Sequence, residues 1–125
     1  MKQQNCEDVV LWVNEVGDKY YDYLNCANGF VLTSQFESFS LVTLEALYLG
    51  LPVVANDCIG VKEILQEKYG FVVKQKNNPE EMAEKCYNIA SSELKVNKEE
   101  LKQRALDFNI DKIGENWQQW LKEQI

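Results

Sequence analysis

Two glutamates, Glu37 and Glu45, stand eight residues apart in a stretch that reads as a loop followed by a helix start. The loop Ser34-Gln35-Phe36-Glu37-Ser38-Phe39-Ser40 joins the end of a short apolar run to the first turn of that helix. The first amide groups of a helix have no partner within it, and together with the helix dipole they favour an anion. Glu45 falls about 7–8 Å up the helix axis from Ser40, at 1.5 Å per residue. One carboxylate at the mouth and a second one to two turns further can bracket a hydroxyl-rich ligand that carries a phosphate. A carboxylate accepts from two vicinal hydroxyls at once, so ribose or a hexose suits it. Spacing alone equally allows Glu45 to be a solvated helix residue and Glu37 a loop charge.

These residues need elements to hold them, and the chain alternates short apolar runs with helical periods. Val9–Val13 is a strand candidate, rich in β-branched and aromatic residues, and Lys19–Ala27 reads as a short helix carrying Tyr20, Tyr21 and Tyr23. Phe30–Thr33 is a second strand, opened by the turn Asn28-Gly29. Leu41–Leu49 is helical and stops at Gly50; Pro52 leads into a third strand, Val53–Ala55. Gly60 precedes a short helix, Val61–Gln66, and Gly70 introduces a fourth strand, Phe71–Val73. Asn78-Pro79-Glu80-Glu81 marks a helix start with a cap, a first-position proline and acids facing the dipole. Asn97 with Glu100 marks another. Ile110, Ile113, Trp117, Trp120 and Leu121 give the last helix a wide apolar stripe, expected to be core or an inter-domain seam. Strands alternating with helices mean βαβ units and a parallel sheet, whose ligands bind at the carboxyl ends of the strands. The loops there are Ser34–Ser40 and Asn56–Gly60.

Composition narrows the classes. At 125 residues the chain has the size of one domain, and 46% hydrophobic with 26% charged residues is a globular balance. Thirteen Lys and Arg against twenty Asp and Glu give a net charge of −7, which argues against a nucleic-acid partner or a polybasic membrane patch. No apolar run reaches the length of a membrane span, about 18 residues. With no histidine, imidazole chemistry cannot come from this chain alone. Cys6, Cys26, Cys58 and Cys86 lack the close spacing of a zinc or redox motif; they are expected to be reduced and mostly buried, in a cytoplasmic protein.

The run FVLTSQFESFSLVTLEALYLGLPVVANDCIGVKEIL resembles the C-terminal domain of the group 1, family 4-like glycosyltransferases of GT-B fold. Glu37, Glu45-Ala46 and Gly50-Leu51-Pro52-Val53-Val54 match the family's Glu-x7-Glu donor-binding signature and the segment after it. Gly60, Glu63-Ile64-Leu65, Gly70-Phe71-Val72-Val73 and Asn78-Pro79 continue the pattern, so the resemblance covers roughly residues 7–92, ahead of C-terminal helices in 97–125. It implies an α/β fold, a Rossmann-like parallel sheet with flanking helices, lacking its first two βα units. It further implies retaining transfer of a hexose from a nucleotide-sugar to a glycan or lipid-linked acceptor, as in polysaccharide biosynthesis. Glu37 would hold the donor sugar at the reacting centre. Backbone groups of Phe39, Ser40 and Leu41 would meet the sugar or diphosphate, and Glu45 would take the ribose hydroxyls. No protein-bound metal and no further cofactor is implied.

The chain departs from the family at Ser38 and Ser40, where Gly is frequent, and at Ile59-Gly60, where Gly is paired. Serine fits there if its hydroxyl takes a ligand or caps the helix. Between Lys19 and Lys62 there is no Lys or Arg. The resemblance therefore implies that the cations for a diphosphate, like the acceptor site, belong to upstream parts of a full-length protein that can be peripheral at the membrane. On that basis the isolated chain is expected to be inactive, the alternative being a non-catalytic sugar-nucleotide-binding or regulatory module. If the sheet order is 3-2-1-4-5-6, Val9–Val13 either pairs directly with Phe30–Thr33 or a second copy completes the sheet as a homo-oligomer.

Overall fold

The computed structural model describes residues 8–74 and 78–125. Three short strands, β1 (Phe30–Leu32), β2 (Val53–Asn56) and β3 (Gly70–Val73), form one parallel sheet in that spatial order. The register pairs Phe30 with Val53 and Val53 with Gly70. Parallel neighbours need crossover connections, and α2 (Leu41–Tyr48) and α3 (Ile59–Leu65) supply them. The described residues also hold α1 (Tyr20–Asn25), entered through a 3-10 turn at Gly17–Lys19, and three later helices, α4 (Pro79–Ala90), α5 (Lys98–Leu106) and α6 (Ile110–Gln124). This is the α/β, Rossmann-like architecture read from the alternation of elements.

All four residues of β2 are buried, as an unbroken apolar run predicts for a strand covered on both faces. Ala46 and Leu47 of α2, Val61, Ile64 and Leu65 of α3, and Leu101 of α5 close over Val53 and Ala55 in one cluster. The helix ends follow the sequence signals. Asn78 Oδ1 accepts from the Glu81 amide at 3.0 Å, and Asn97 and Glu100 form a reciprocal capping box at 2.9 and 3.0 Å. Gly50 ends α2 with φ +75°, in the left-handed region that glycine enters without strain. Arg104 joins α5 to α3, donating to the carbonyls of Glu63 at 2.6 Å and Ile64 at 2.9 Å. Those last-turn carbonyls have no partner within α3, and a cation suits that end of the dipole.

Three expectations are corrected. Val9–Val13 forms no strand and does not pair with β1; Val9, Leu11 and Trp12 are more than four-fifths exposed. Strand propensity records suitability for a half-buried pleated surface, and with no ladder beside it the run stays irregular. The stripe of α6 is not core: Ile110, Ile113, Trp117, Trp120 and Leu121 are all exposed, and Trp117 and Trp120 meet edge to face at 5.7 Å. Of the cysteines, Cys58 is buried, Cys86 is half-buried and Cys26 is exposed, all three free; Cys6 lies outside the described residues.

Candidate functional site

The loop 33–40 leaves the carboxyl end of β1 and enters α2, and side chains from the next βα connection hold it. Asn56, the last residue of β2, is 5% exposed, and its amide donates to the carbonyls of Thr33 at 2.9 Å and Ser34 at 3.3 Å. The Cys58 thiol reaches the Ser34 carbonyl at 3.5 Å. These bonds give buried polar groups their partners and tie the exits of neighbouring strands together.

The middle of the loop rests on Gly60, near the start of α3. The Gly60 amide donates to the Glu37 carbonyl at 3.4 Å. A Cβ at Gly60 would stand 2.5 Å from the Ser38 carbonyl oxygen and 2.7 Å from the Phe39 Cα. The absence of a side chain is thus what lets the two candidate loops pack backbone to backbone. Gly60 makes its close contact with the protein's own backbone. Phe39 packs its ring against Phe108 at 5.7 Å, and the Arg104 guanidinium lies over the Phe108 ring at 4.6 Å.

Ser40 occupies the cap position of α2, but its side chain makes no capping bond. Its hydroxyl is buried and shares a hydrogen bond of 2.8 Å with Thr43 Oγ1. Serine at this position therefore does not cap the helix with its side chain. Leu41 is exposed at the helix start, and Phe39 is partly exposed just before it. Glu37 is half-buried on the loop, and its carboxylate enters none of the ion pairs among the described residues.

Glu45 lies on α2, half-buried, and is not a merely solvated residue. The Tyr20 hydroxyl donates to its Oε2 at 3.1 Å and the Tyr21 hydroxyl to its Oε1 at 3.0 Å. The two rings meet edge to face with centroids 5.1 Å apart. Partial burial, together with the bond to Glu45, raises the Tyr20 pKa; for Tyr21 the bond itself is the main cause. A mainly apolar cleft of about 510 Å³ opens beside Glu45, between Tyr21, Leu44 and Tyr48 on one side and Ala105 and Leu106 of α5 on the other.

The structure thus brings Glu37, Ser38 and Phe39 against Gly60, and Glu45 against Tyr20 and Tyr21. Lys62, the first cation after Lys19, is held by Asp57 at 2.9 Å. Among the described residues no three His, Cys, Asp or Glu side chains converge as a metal site would require. Sequence reasoning missed Asn56, the packing role of Gly60 and the tyrosine pair. The run of tyrosines in 20–23 was visible, but nothing in its local pattern pointed to a glutamate on another helix.

A model of the group 1 glycosyl transferases matches residues 1–92. An uncharacterized glycosyltransferase of Haemophilus influenzae is 33% identical over 125 residues, covering 93% of this chain and 33% of the relative. An uncharacterized glycosyltransferase of Methanocaldococcus jannaschii is 25% identical over 121 residues, covering 97% of this chain and 30% of that protein. An amylovoran biosynthesis glycosyltransferase of Erwinia amylovora is 30% identical over 101 residues, covering 79% of this chain and 28% of the relative. The chain spans about a third of the length of these relatives.

Proposed function

The chain belongs to the group 1 glycosyltransferases, and from that membership we propose that it is the donor-binding part of a retaining hexosyltransferase of GT-B fold. The donor is a nucleotide-sugar and the acceptor a glycan or a lipid-linked sugar, in polysaccharide biosynthesis on the cytoplasmic side. The observation that supports this reading best is the loop 37–41, packed on Gly60 at the carboxyl ends of β1 and β2 and running into a helix start that the Ser40 side chain does not cap. A fixed row of backbone groups there suits an anionic, hydroxyl-bearing ligand without reorganisation.

In this reading the carboxylate of Glu37 accepts from donor-sugar hydroxyls near the breaking bond. Backbone groups of Phe39, Ser40 and Leu41 meet the sugar and the diphosphate, and Glu45 accepts from the ribose hydroxyls. The Ser40 side chain is excluded from direct contact because Thr43 already holds it in the interior. Charge on the leaving diphosphate calls for cations beyond Lys62, which Asp57 already holds. The reading therefore places a cationic clamp and the acceptor site in the remaining two thirds that the relatives possess. It asks for no protein-bound metal. No helix of the described residues is long and apolar enough to cross a membrane.

The test is to assay the full-length protein with UDP-, GDP- and ADP-hexoses and to read the anomeric configuration of the product by NMR. Transfer with retention supports the proposal, and inversion overturns it. Nucleotide binding with neither transfer nor donor hydrolysis would replace it with the non-catalytic binding module.

A further inference from the structure

Glu45 receives one phenol on each carboxylate oxygen, Tyr20 on Oε2 and Tyr21 on Oε1. A carboxylate offers about four lone-pair sites, two per oxygen. The tyrosines fill one on each oxygen and leave one on each. Two acceptor sites on two oxygens match a vicinal diol that donates from both hydroxyls. The phenols are held in turn: they come from adjacent positions of α1, their rings meet edge to face at 5.1 Å, and Tyr20 packs against the core that contains Leu24, the buried residue of α1. A glutamate on a helix otherwise samples several rotamers, and fixing it removes an entropic cost of binding.

We propose that Tyr20 and Tyr21 are positioning residues that orient Glu45 so that the chain selects ribonucleoside diphosphate donors over those whose nucleotide lacks the ribose diol. This rests on the donor reading above, and it adds the residues that set the sugar-edge specificity of the nucleotide. The phenols touch Glu45 rather than the donor, so their effect reaches the ligand through the carboxylate alone. It follows that removing both hydroxyls costs affinity only for ligands that possess the diol.

The experiment is a calorimetric titration of the full-length protein with UDP, GDP and ADP, repeated with the 2′,3′-dideoxy diphosphate of whichever base binds tightest. Wild type, Glu45→Ala and the double variant Tyr20→Phe/Tyr21→Phe are compared, each with its thermal midpoint. Phenylalanine keeps both rings, so packing is preserved. The expected result is a ribonucleotide preference in wild type, abolished in Glu45→Ala, and reduced roughly tenfold in the tyrosine double variant for two hydrogen bonds of ordinary strength. Dideoxy affinity should be the same in wild type and the double variant. A double variant that keeps the wild-type preference, or binds the ribonucleotide more tightly, overturns the positioning role while leaving the donor reading standing. If wild type shows no preference, or binds none of the three nucleotides, the donor reading fails and takes the positioning role with it.

Discussion

Gly60 sits so close to Ser38 that a single added carbon would come within 2.5 Å of the Ser38 carbonyl oxygen. The contact is between two backbones, so neither side can yield by changing a rotamer. It joins the start of α3 to the loop that carries Glu37, and it holds the candidate donor loop at the carboxyl end of the sheet.

Gly60→Ala should therefore lower stability by about 1–3 kcal/mol, the range for forcing extra volume into a packed position. Urea unfolding followed by circular dichroism measures it. The same substitution at Gly114, whose Cβ would meet nothing within 4 Å, should be neutral or slightly stabilising because alanine favours a helix. A Gly60→Ala variant as stable as wild type would mean that the loop does not rest on α3.

The two glutamates should differ in kinetics within the full-length enzyme. Glu45→Ala should mainly raise KM, because a ribose contact is present in the ground state and the transition state alike. Glu37→Ala should mainly lower kcat, by about 10²-fold or more, because contacts beside the breaking bond tighten as charge develops there. Steady-state kinetics with varied donor concentration separate the two effects. Unchanged kinetics in both variants would remove these residues from the donor site.

Stability should fall at both ends of the pH scale for separate reasons. The Tyr20 pKa is raised by partial burial and by its bond to Glu45, and the Tyr21 pKa mainly by its bond to Glu45. Their contribution is complete below the unfolded tyrosine value of about 10 and is lost as pH rises through the folded values. The Lys112 ammonium, assisted by Arg104, lowers the Asp107 pKa. That contribution is present above the unfolded carboxyl value of about 3.9 and is lost as pH falls toward the folded value. Thermal midpoints across pH measure both limbs. Glu45→Gln should move the tyrosine absorbance titration to lower pH, and an unmoved titration would contradict the hydrogen bonds to Glu45.

Much of this fold was legible because its signals are local. β2 is an unbroken apolar run, Asn78-Pro79 and Asn97 with Glu100 are start signals, and Gly50 is a stop; each works within one or two turns. The loop 34–40 with Glu37, and the helix after it with Glu45, were legible as well, from their place after a strand. What remained hidden depends on partners distant in sequence. Tyr20 and Tyr21 reach Glu45 across more than twenty residues, Asn56 reaches back to Thr33, and Arg104 reaches across about forty to α3. Val9–Val13 was misread because a strand is defined by its neighbour, and local composition does not supply one. The stripe of α6, read as core or an inter-domain seam, is not core, since amphipathicity marks a face without saying what covers it.

If the segment 37–45 receives a nucleotide-sugar, amide chemical-shift mapping of the full-length protein with UDP-, GDP- and ADP-hexoses reads it directly. One of these donors should shift the amides of Glu37, Phe39, Leu41, Glu45 and Gly60 in a saturable manner, while α6 stays unmoved. Saturable binding that leaves 37–45 unperturbed, or no binding of any of the three, would contradict it.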